Sequence, residues 1–146
     1  MEETDRKILT LLAADGRMSF TDLGKATGLS TSAVHQRVKR LEKRGLIKGY
    51  GATIDHDQIG LPLTAFVSIT PIDPSEPDDY PQRLADIAEI ESCWSVAGEE
   101  SYILKVRVAM PASLEDLLAR IRSVANVSTR TTIVLSTPYE SRPVTG

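Results

Sequence analysis

The chain has 146 residues, of which 41% are hydrophobic and 25% are charged, a composition typical of globular proteins and not of disordered ones. This length allows one ordinary domain or two small ones. No apolar run approaches the roughly 18 residues of a membrane span, the acidic N-terminus lacks the apolar segment of a secretory signal, and the single Cys93 excludes an intrachain disulfide, so we expect a cytoplasmic protein.

The net charge of −3 hides an uneven distribution. Residues 1–50 carry ten basic and six acidic side chains, and residues 51–146 carry seven basic and fourteen acidic ones, so the two parts have net charges of +4 and −7. A basic part followed by an acidic part indicates that only the first part meets a polyanion. His35, His56 and Cys93 are scattered, so we expect no metal site.

The basic part predicts three helices. Apolar residues at helical spacing indicate a first helix over 5–14, which stops at an Asp-Gly turn. A capping-box spacing at Ser19 begins a short second helix, and Gly28 ends it. Ser30 is a good N-cap for a third helix that runs to about Arg44. Two helices joined by a tight glycine turn are typical of a helix-turn-helix.

The third helix separates apolar from polar side chains. Val34, Val38 and Leu41 form its buried stripe, and the opposite side carries hydroxyl, amide, imidazole and cationic groups. Because recognition helices place their N-terminal residues deepest in the major groove, we expect bases to be read by the residues of the first turns and phosphates by the later lysines. The base-reading candidates are Ser32, His35 and Gln36, with Arg40 as a fourth, and the phosphate-binding candidates are Lys39 and Lys43. Ser30 and Arg37 complete the predicted DNA-binding set, although Arg37 flanks the buried stripe, where it is expected to reach a carboxylate or a phosphate and not a base.

Residues 46–54 alternate in polarity and contain two glycines, which predicts a bent strand serving as a small wing and a hinge. Tyr50 in this segment either touches the DNA backbone or packs against the linker. A turn-rich stretch follows it. We therefore predict a DNA-binding domain over 1–50, a hinge or linker strand over 51–61, and a second domain over 62–146.

The acidic part repeats one order of elements. Strict alternation over 63–70 predicts a strand, helical spacing of apolar residues predicts a helix from Tyr80 to Ala88, and a short strand follows. A second strand, a helix opened by Pro111 and a last strand repeat the order; these elements are predicted over 92–97, 102–108, 111–124 and 127–135. Such a βαββαβ arrangement is ferredoxin-like, and right-handed crossovers place both helices on one face of the sheet.

The other face of the sheet would then be uncovered. It would carry Phe66, Ile103 and Val134 among polar and charged residues, a face that is too apolar to be left wet. We therefore expect it to pack against a second copy of the chain. A two-fold dimer would also present two recognition helices to half-sites about 34 Å apart.

Several stretches together resemble the Lrp/AsnC (feast/famine) family of bacterial and archaeal transcription regulators. The resemblance covers roughly residues 3–137, and the stretch from Ser92 to Tyr102 is similar to the actinobacterial Lrp-like subgroup. It implies an α+β fold with a winged helix-turn-helix and a ligand-sensing body called the RAM domain. It also implies dimers through the body sheets that assemble into tetramers or octamers, with amino acids bound between dimers. The matching stretches are 5–9, 15–17, 29–34, 37–42, 45–50, 98–102 and the threonine-rich last strand.

The family's ligand loop matches Gly98 to Tyr102. Gly98 would let the backbone approach a ligand, and free backbone amides would hold its carboxylate. The family often has an acidic residue where this chain has Ser101, so either Glu100 or Glu99 holds the ammonium group instead, or the ligand preference differs. The alternative is a plain hairpin turn with solvated acids. The resemblance implies an effector site, with one wall from a neighbouring subunit, at Val96, Gly98, Glu99, Glu100, Ser101, Tyr102, Asn126, Thr129, Arg130 and Thr132.

Two other functions are alternatives to ligand-responsive DNA binding. Small ferredoxin-like domains can hydrolyse acyl phosphates, but Glu99 and Glu100 would repel a phosphate and no nucleophile–base pair is evident, so we expect no enzyme and no cofactor. A ligand-independent architectural DNA-binding protein stays open. The favoured hypothesis is a regulator that binds specific double-stranded DNA and responds to an amino acid.

Overall fold

A computed structural model describes residues 1–146, and its internal contacts divide the chain into two compact units. One unit, which we call the head, comprises residues 1–53 and 138–146. The other, which we call the body, comprises residues 54–137.

The head contains three helices, α1 (Glu3–Ala14), α2 (Phe20–Thr27) and α3 (Thr31–Lys43). Serine caps begin the second and third: Ser19 Oγ accepts a hydrogen bond from the backbone N–H of Asp22 at 3.0 Å, and Ser30 Oγ accepts one from Ala33 at 3.1 Å. The predicted helix-turn-helix is therefore confirmed, with the caps that the sequence indicated. Its core is formed by Ile8, Leu12, Leu23, Val34, Val38 and Leu41.

Two glycines shape the turn between α2 and α3. Gly28 closes α2 with a φ of +76°, a left-handed conformation that costs other residues energy. Gly24 lies inside α2 and is buried, and a Cβ atom built on it would stand only 2.6 Å from the carbonyl oxygen of Leu29. The turn therefore folds back onto α2 at a distance that only glycine permits.

The strand predicted over 46–54 is wrong, because this segment has no regular secondary structure. The backbone N–H groups of Leu46 and Ile47 both donate to the carbonyl of Leu41, so the chain wraps around the end of α3. The ring of Tyr50 lies against Gly16, and partial burial followed by the neighbouring Glu42 raises the pKa of its hydroxyl, so Tyr50 packs within the head. The head contains no other strand, and an extended segment without a partner strand cannot form a ladder.

The body is a four-stranded antiparallel sheet with two helices, which confirms the predicted ferredoxin-like order. The strands lie in the order β2-β3-β1-β4, with β1 at the centre beside β3. No helix in the chain is long and apolar enough to cross a membrane. The elements are β1 (Leu63–Pro71), α4 (Tyr80–Leu84), β2 (Ile90–Ser95), β3 (Tyr102–Val108), α5 (Pro111–Ala125) and β4 (Val127–Ile133).

The body core lies between the sheet and the helices. Alternate residues of β1, from Ala65 to Ile69, are fully buried, and the matching positions of β3 are buried beside them. On α5 the buried residues are Leu114, Leu117, Ile121 and Ala125. The other face of the sheet is not covered by any element of the chain.

Several predicted bounds and one predicted core position differ from the structure. The strand predicted over 92–97 is β2, Ile90–Ser95. The helix expected to reach Ala88 ends at Leu84, and Ile87 still packs on the core from a turn, so its spacing reflected burial and not helix. Val124, expected on the apolar face of α5, is 48% exposed, because Ala125 takes the core position. The last strand ends at Ile133, and Leu135 beyond it is 96% exposed.

The C-terminal residues 138–146 also differ from expectation, since the sequence placed them with the body. In the structure they belong to the head, where Arg6 donates to the carbonyl of Thr145 and the hydroxyls of Thr10 and Thr145 lie 2.7 Å apart. They carry no apolar repeat that could have predicted this contact.

Candidate DNA-binding face and effector groove

The exposed side of α3 carries six of the eight predicted DNA-binding residues. Val34, Val38 and Leu41 hold the opposite side of the helix in the head core, which fixes the direction of the exposed one. The ring of His35 rests against Phe20 of α2, with the ring centres 5.2 Å apart, so its orientation is partly set by the fold. The exposed residues are Ser32, His35, Gln36, Lys39, Arg40 and Lys43.

The remaining two residues of that set have structural partners. The hydroxyl oxygen of Ser30 is the N-cap of α3, where it accepts the hydrogen bond from the N–H of Ala33, and it also lies 3.4 Å from the hydroxyl oxygen of Ser32. The Arg37 guanidinium donates to Glu2 at 2.8 Å and to Asp5 at 3.1 Å, both at the start of α1. These hydrogen bonds raise the pKa of Arg37, with the Glu2 bond first in importance. Arg37 therefore joins α3 to α1 through carboxylates.

The other cations of α3 have no such partners. The side chains of Lys39, Arg40 and Lys43 make no hydrogen bond or ion pair within the chain. Glu42 is the one acidic residue of the helix, and its carboxylate lies near the hydroxyl of Tyr50. The cations without internal partners are suited to bind DNA phosphates, and the exposed amide of Gln36 among them is suited to bind base edges in the groove.

A groove of about 310 Å³ lies at one end of the body sheet, and it brings together four of the predicted effector residues. Glu99 and Glu100 line it from the loop between β2 and β3, and Thr129 and Arg130 line it from β4. Within one chain, the loop and β4 thus lie on two sides of the same groove. The wall that the resemblance assigns to a neighbouring subunit stays a prediction. Three hydroxyl residues that the sequence pattern did not indicate also line this groove: Ser68, Thr70 and Ser128.

The strand register explains how the groove forms. Thr70 of β1 pairs with Ser128 of β4, and Ser68 pairs with Arg130, so these four side chains share the uncovered face. The loop is held above them because the N–H of Ser101 donates to the carbonyl of Ile69 at 3.0 Å. Alternation in the sequence placed Ser68 and Thr70 on this face, but it could not reveal which residues of β4 lie opposite them.

The loop provides anion-binding groups beside its acids. The backbone N–H groups of residues 98–100 make no hydrogen bond within the chain, whereas the N–H groups of Val96 and Ser101 are both used. Arg130 is exposed and has no ion pair within the chain. Gly98 has no left-handed φ, and a Cβ atom there would meet only the Glu100 carboxylate at 3.9 Å. One groove therefore holds two carboxylates, a guanidinium and free amides.

Six predicted effector residues do not line the groove. Val96, Gly98 and Ser101 belong to the segment that leads into and out of its loop, and the other three have different positions. Tyr102 is buried in the core, where its hydroxyl donates to Asp78 at 2.9 Å; this hydrogen bond, with burial, raises the pKa of Tyr102. Asn126 caps α5 with a φ of +53° and donates to Glu76 at 2.9 Å. Thr132 lies on the uncovered face opposite Phe66, beyond the groove.

The uncovered sheet face has an apolar centre. The rings of Phe66 and Trp94 are stacked with their centres 6.5 Å apart at 27°, and Ile103 pairs with Trp94 across the strands. The two cations of β3 share the carboxylate of Glu91, which lies 3.2 Å from Lys105 and 2.5 Å from Arg107 and offsets one of their two charges. Burial would raise the pKa of Glu91, but its bonds to Arg107 and Lys105 outweigh burial and lower it.

Comparisons with known proteins cover both units. Residues 1–48 match the family described as winged helix-turn-helix DNA-binding, and residues 64–144 match the Lrp/AsnC ligand binding domain. The chain is 56% identical over 142 residues to the HTH-type transcriptional regulator LrpA of Mycobacterium tuberculosis, covering 97% of this chain and 95% of that protein. It is 36% identical over 139 residues to the leucine-responsive regulatory protein of Haemophilus influenzae, covering 92% and 84% of the two chains. The solved structure of a feast or famine regulatory protein from M. tuberculosis complexed with L-methionine is 55% identical with a TM-score of 0.97, covering 99% of both chains.

Proposed function

Because the chain belongs to the Lrp/AsnC family of DNA-binding transcriptional regulators, and is not an enzyme, we propose that it reads a specific DNA sequence through α3 and responds to an amino acid held in the effector groove. The observation that supports sequence reading most directly is the exposed face of α3. On that face the side chain of Gln36 makes no hydrogen bond within the chain, and neither do the cations of Lys39, Arg40 and Lys43. Arg37 beside them is bound by the carboxylates of Glu2 and Asp5. We place this activity in the cytoplasm, on nucleoid DNA.

Gln36 and Lys39 have separate roles in this proposal. An amide pairs bidentately with adenine, so Gln36→Ala should weaken binding to a selected operator by about 5- to 150-fold and leave binding to random DNA nearly unchanged. Lys39→Ala should weaken both alike and lower the slope of log K against log salt by about 1. Lys7→Ala, a change of an exposed lysine on α1, is the matched control. Equal losses on both DNAs for Gln36→Ala would contradict the base-reading role.

The effector groove is suited to a zwitterion. Arg130 and the free amides of residues 98–100 offer hydrogen bonds to a carboxylate, and Glu99 or Glu100 offers a charge partner to an ammonium group. The related structure that holds L-methionine supports an amino acid of this kind as the effector. Because Ser101 carries no charge, the two glutamates before it are the acids available in this loop.

Ligand-dependent stability tests this part of the proposal. Each of the twenty amino acids, L-methionine first, is screened for a rise in the unfolding temperature, since a ligand at about 100 times its Kd adds roughly 2.7 kcal/mol of stability. Arg130→Gln should abolish the response, and an N-acetylated form of the active amino acid should give none because it lacks the ammonium group. If no amino acid stabilises the chain, the ligand-independent architectural DNA-binding protein becomes the better reading.

We further propose that two chains pack through the uncovered sheet face, as its stacked Phe66 and Trp94 suggest. The carboxylate of Glu91, which lies between Lys105 and Arg107, lowers the repulsion between the cations of two like faces. Trp94→Asp should therefore lower the mass measured by light scattering to that of a monomer. Val124→Asp on α5 is the control, because Val124 is as exposed as Trp94, at 48% against 46%. A dimer that persists in Trp94→Asp would contradict this assignment.

A further inference from the structure

The C-terminal residues 138–146 contact α1 of the head at two neighbouring positions. The Arg6 guanidinium donates to the carbonyl oxygen of Thr145, and the hydroxyls of Thr10 and Thr145 lie 2.7 Å apart. Arg6 and Thr10 are one helical turn apart, and Thr10 also donates to the carbonyl of Arg6 at 3.0 Å. Thr145 is thus held by one side of α1.

The same helix holds the recognition helix. Glu2 and Asp5, at the start of α1, bind the Arg37 guanidinium of α3. Asp5 is adjacent in sequence to Arg6, so the contact with Arg37 of α3 and the contact with Thr145 lie within one turn of α1. A displacement of α1 would therefore be felt by α3.

The chain passes between body and head twice. The first passage follows α3, and the second follows β4, the strand that carries Thr129 and Arg130 of the effector groove. Only residues 134–137 separate the end of β4 from the segment that contacts α1. We propose that residues 138–146 form a strap, a second tether through which the body restrains the head and thereby orders the recognition helix for DNA. This proposal rests on the DNA-binding function proposed above.

The strap contact is built to be reversible. Val144 is 95% exposed, so the contact relies on the bonds of Thr145 and gains little from apolar burial. Val144 and Thr145 form one side of a groove of about 400 Å³, and its other side includes Leu9, Leu12 and Tyr50. A tethered segment has an effective concentration in the millimolar range, so even a weak contact is well populated. The strap can thus be docked or released without unfolding the head.

Docking is tested by a disulfide. Thr10→Cys with Thr145→Cys, in a Cys93→Ser chain, should form an intrachain disulfide on mild oxidation, because the two hydroxyls are already 2.7 Å apart. Thr10→Cys with Ser141→Cys is the matched control and should link several-fold more slowly. Equal rates in the two variants, or a link between chains that doubles the mass on a non-reducing gel, would overturn the strap. This arm uses no DNA, so its result is independent of the proposed function.

The effect on DNA binding is tested with an operator selected from random sequence by the unaltered chain. Deletion of residues 138–146 should weaken binding about ten-fold and broaden the accepted half-site spacing, because a head on one tether loses more freedom on binding. Thr10→Val, which keeps the full chain, should give a smaller loss of the same kind. The disulfide-linked variant that carries Thr10→Cys and Thr145→Cys should bind as the unaltered chain does. Unchanged affinity and spacing preference in both variants would overturn the restraining role, whereas failure to select any operator would count against the DNA-reading proposal.

Discussion

Gly24 sets the distance between the two helices of the helix-turn-helix, and Gly24→Ala measures how much that distance matters. A Cβ atom at this position would lie 2.6 Å from the carbonyl oxygen of Leu29, and it would have to recede by about 0.4 Å to reach 3.0 Å, below which such contacts are essentially not found. The obstacle is backbone, and the same turn is fixed by the N–H groups of Gly28 and Leu29, both bonded to the Gly24 carbonyl. A rotamer change therefore cannot relieve the clash.

The cost follows from two opposing terms. Overpacking against rigid surroundings costs about 1–3 kcal/mol, and replacing glycine by alanine inside a helix returns up to about 1 kcal/mol. We expect the head to lose about 1–2 kcal/mol in its free energy of unfolding, measured by urea denaturation followed by circular dichroism. Gly49→Ala is the control, because a Cβ atom there meets nothing within 4 Å. Stability equal to or above that of the unaltered chain would refute the close approach.

Three further changes have defined outcomes. Arg37→Met should lower the urea concentration at which the head unfolds and leave the salt dependence of DNA binding unchanged, because its charge is held by carboxylates and not by phosphates; a lower salt slope would assign Arg37 to DNA. Tyr102→Phe should cost about 1 kcal/mol, since the bond to Asp78 is lost from a half-exposed pair, and near-UV circular dichroism would show whether the core stays packed. Burial raises the pKa of Glu91, but the bonds to Arg107 and Lys105 outweigh it, so the pKa in the folded chain lies below its ordinary value of 4.5. The ionised carboxylate therefore stabilises the body at pH values above 4.5. This contribution of at most about 1 kcal/mol disappears as the pH falls through the lowered pKa. Urea denaturation at pH 7 and pH 3 should show the difference between the unaltered chain and Glu91→Gln only at pH 7.

The fold was predictable wherever local signals and burial agreed. The caps at Ser19 and Ser30, the glycine turn and the alternation of β1 each point to one structure, and all are found. The errors fall where an apolar pattern has two explanations. Ile87 is spaced as if helical but packs from a turn, and residues 46–54 alternate as a strand does but have no partner to pair with.

The candidate site was less predictable, because proximity across strands depends on register. The alternation of β3 does assign Tyr102 to the buried face with Leu104, so its burial was available from the sequence; the family loop pattern favoured a ligand contact instead. The pairing of Ser68 with Arg130 and of Thr70 with Ser128 was not available, since a shift of one residue in β4 would exchange the two faces. Hydroxyl residues of the groove were therefore missed, although their face was known.

The bulge in β2 shows how such a hidden feature can affect assembly. The register between β2 and β3 shifts between Ile90 and Ser92, which leaves Glu91 out of the alternation and able to reach both Lys105 and Arg107. Without the bulge, the sheet face proposed for dimer contact would bring Lys105 and Arg107 of each copy to one interface without the carboxylate of Glu91 between them. The sequence predicted the apolar residues of that face and its cations, but the residue that makes two such faces compatible is placed by a backbone irregularity that no pattern of side chains encodes.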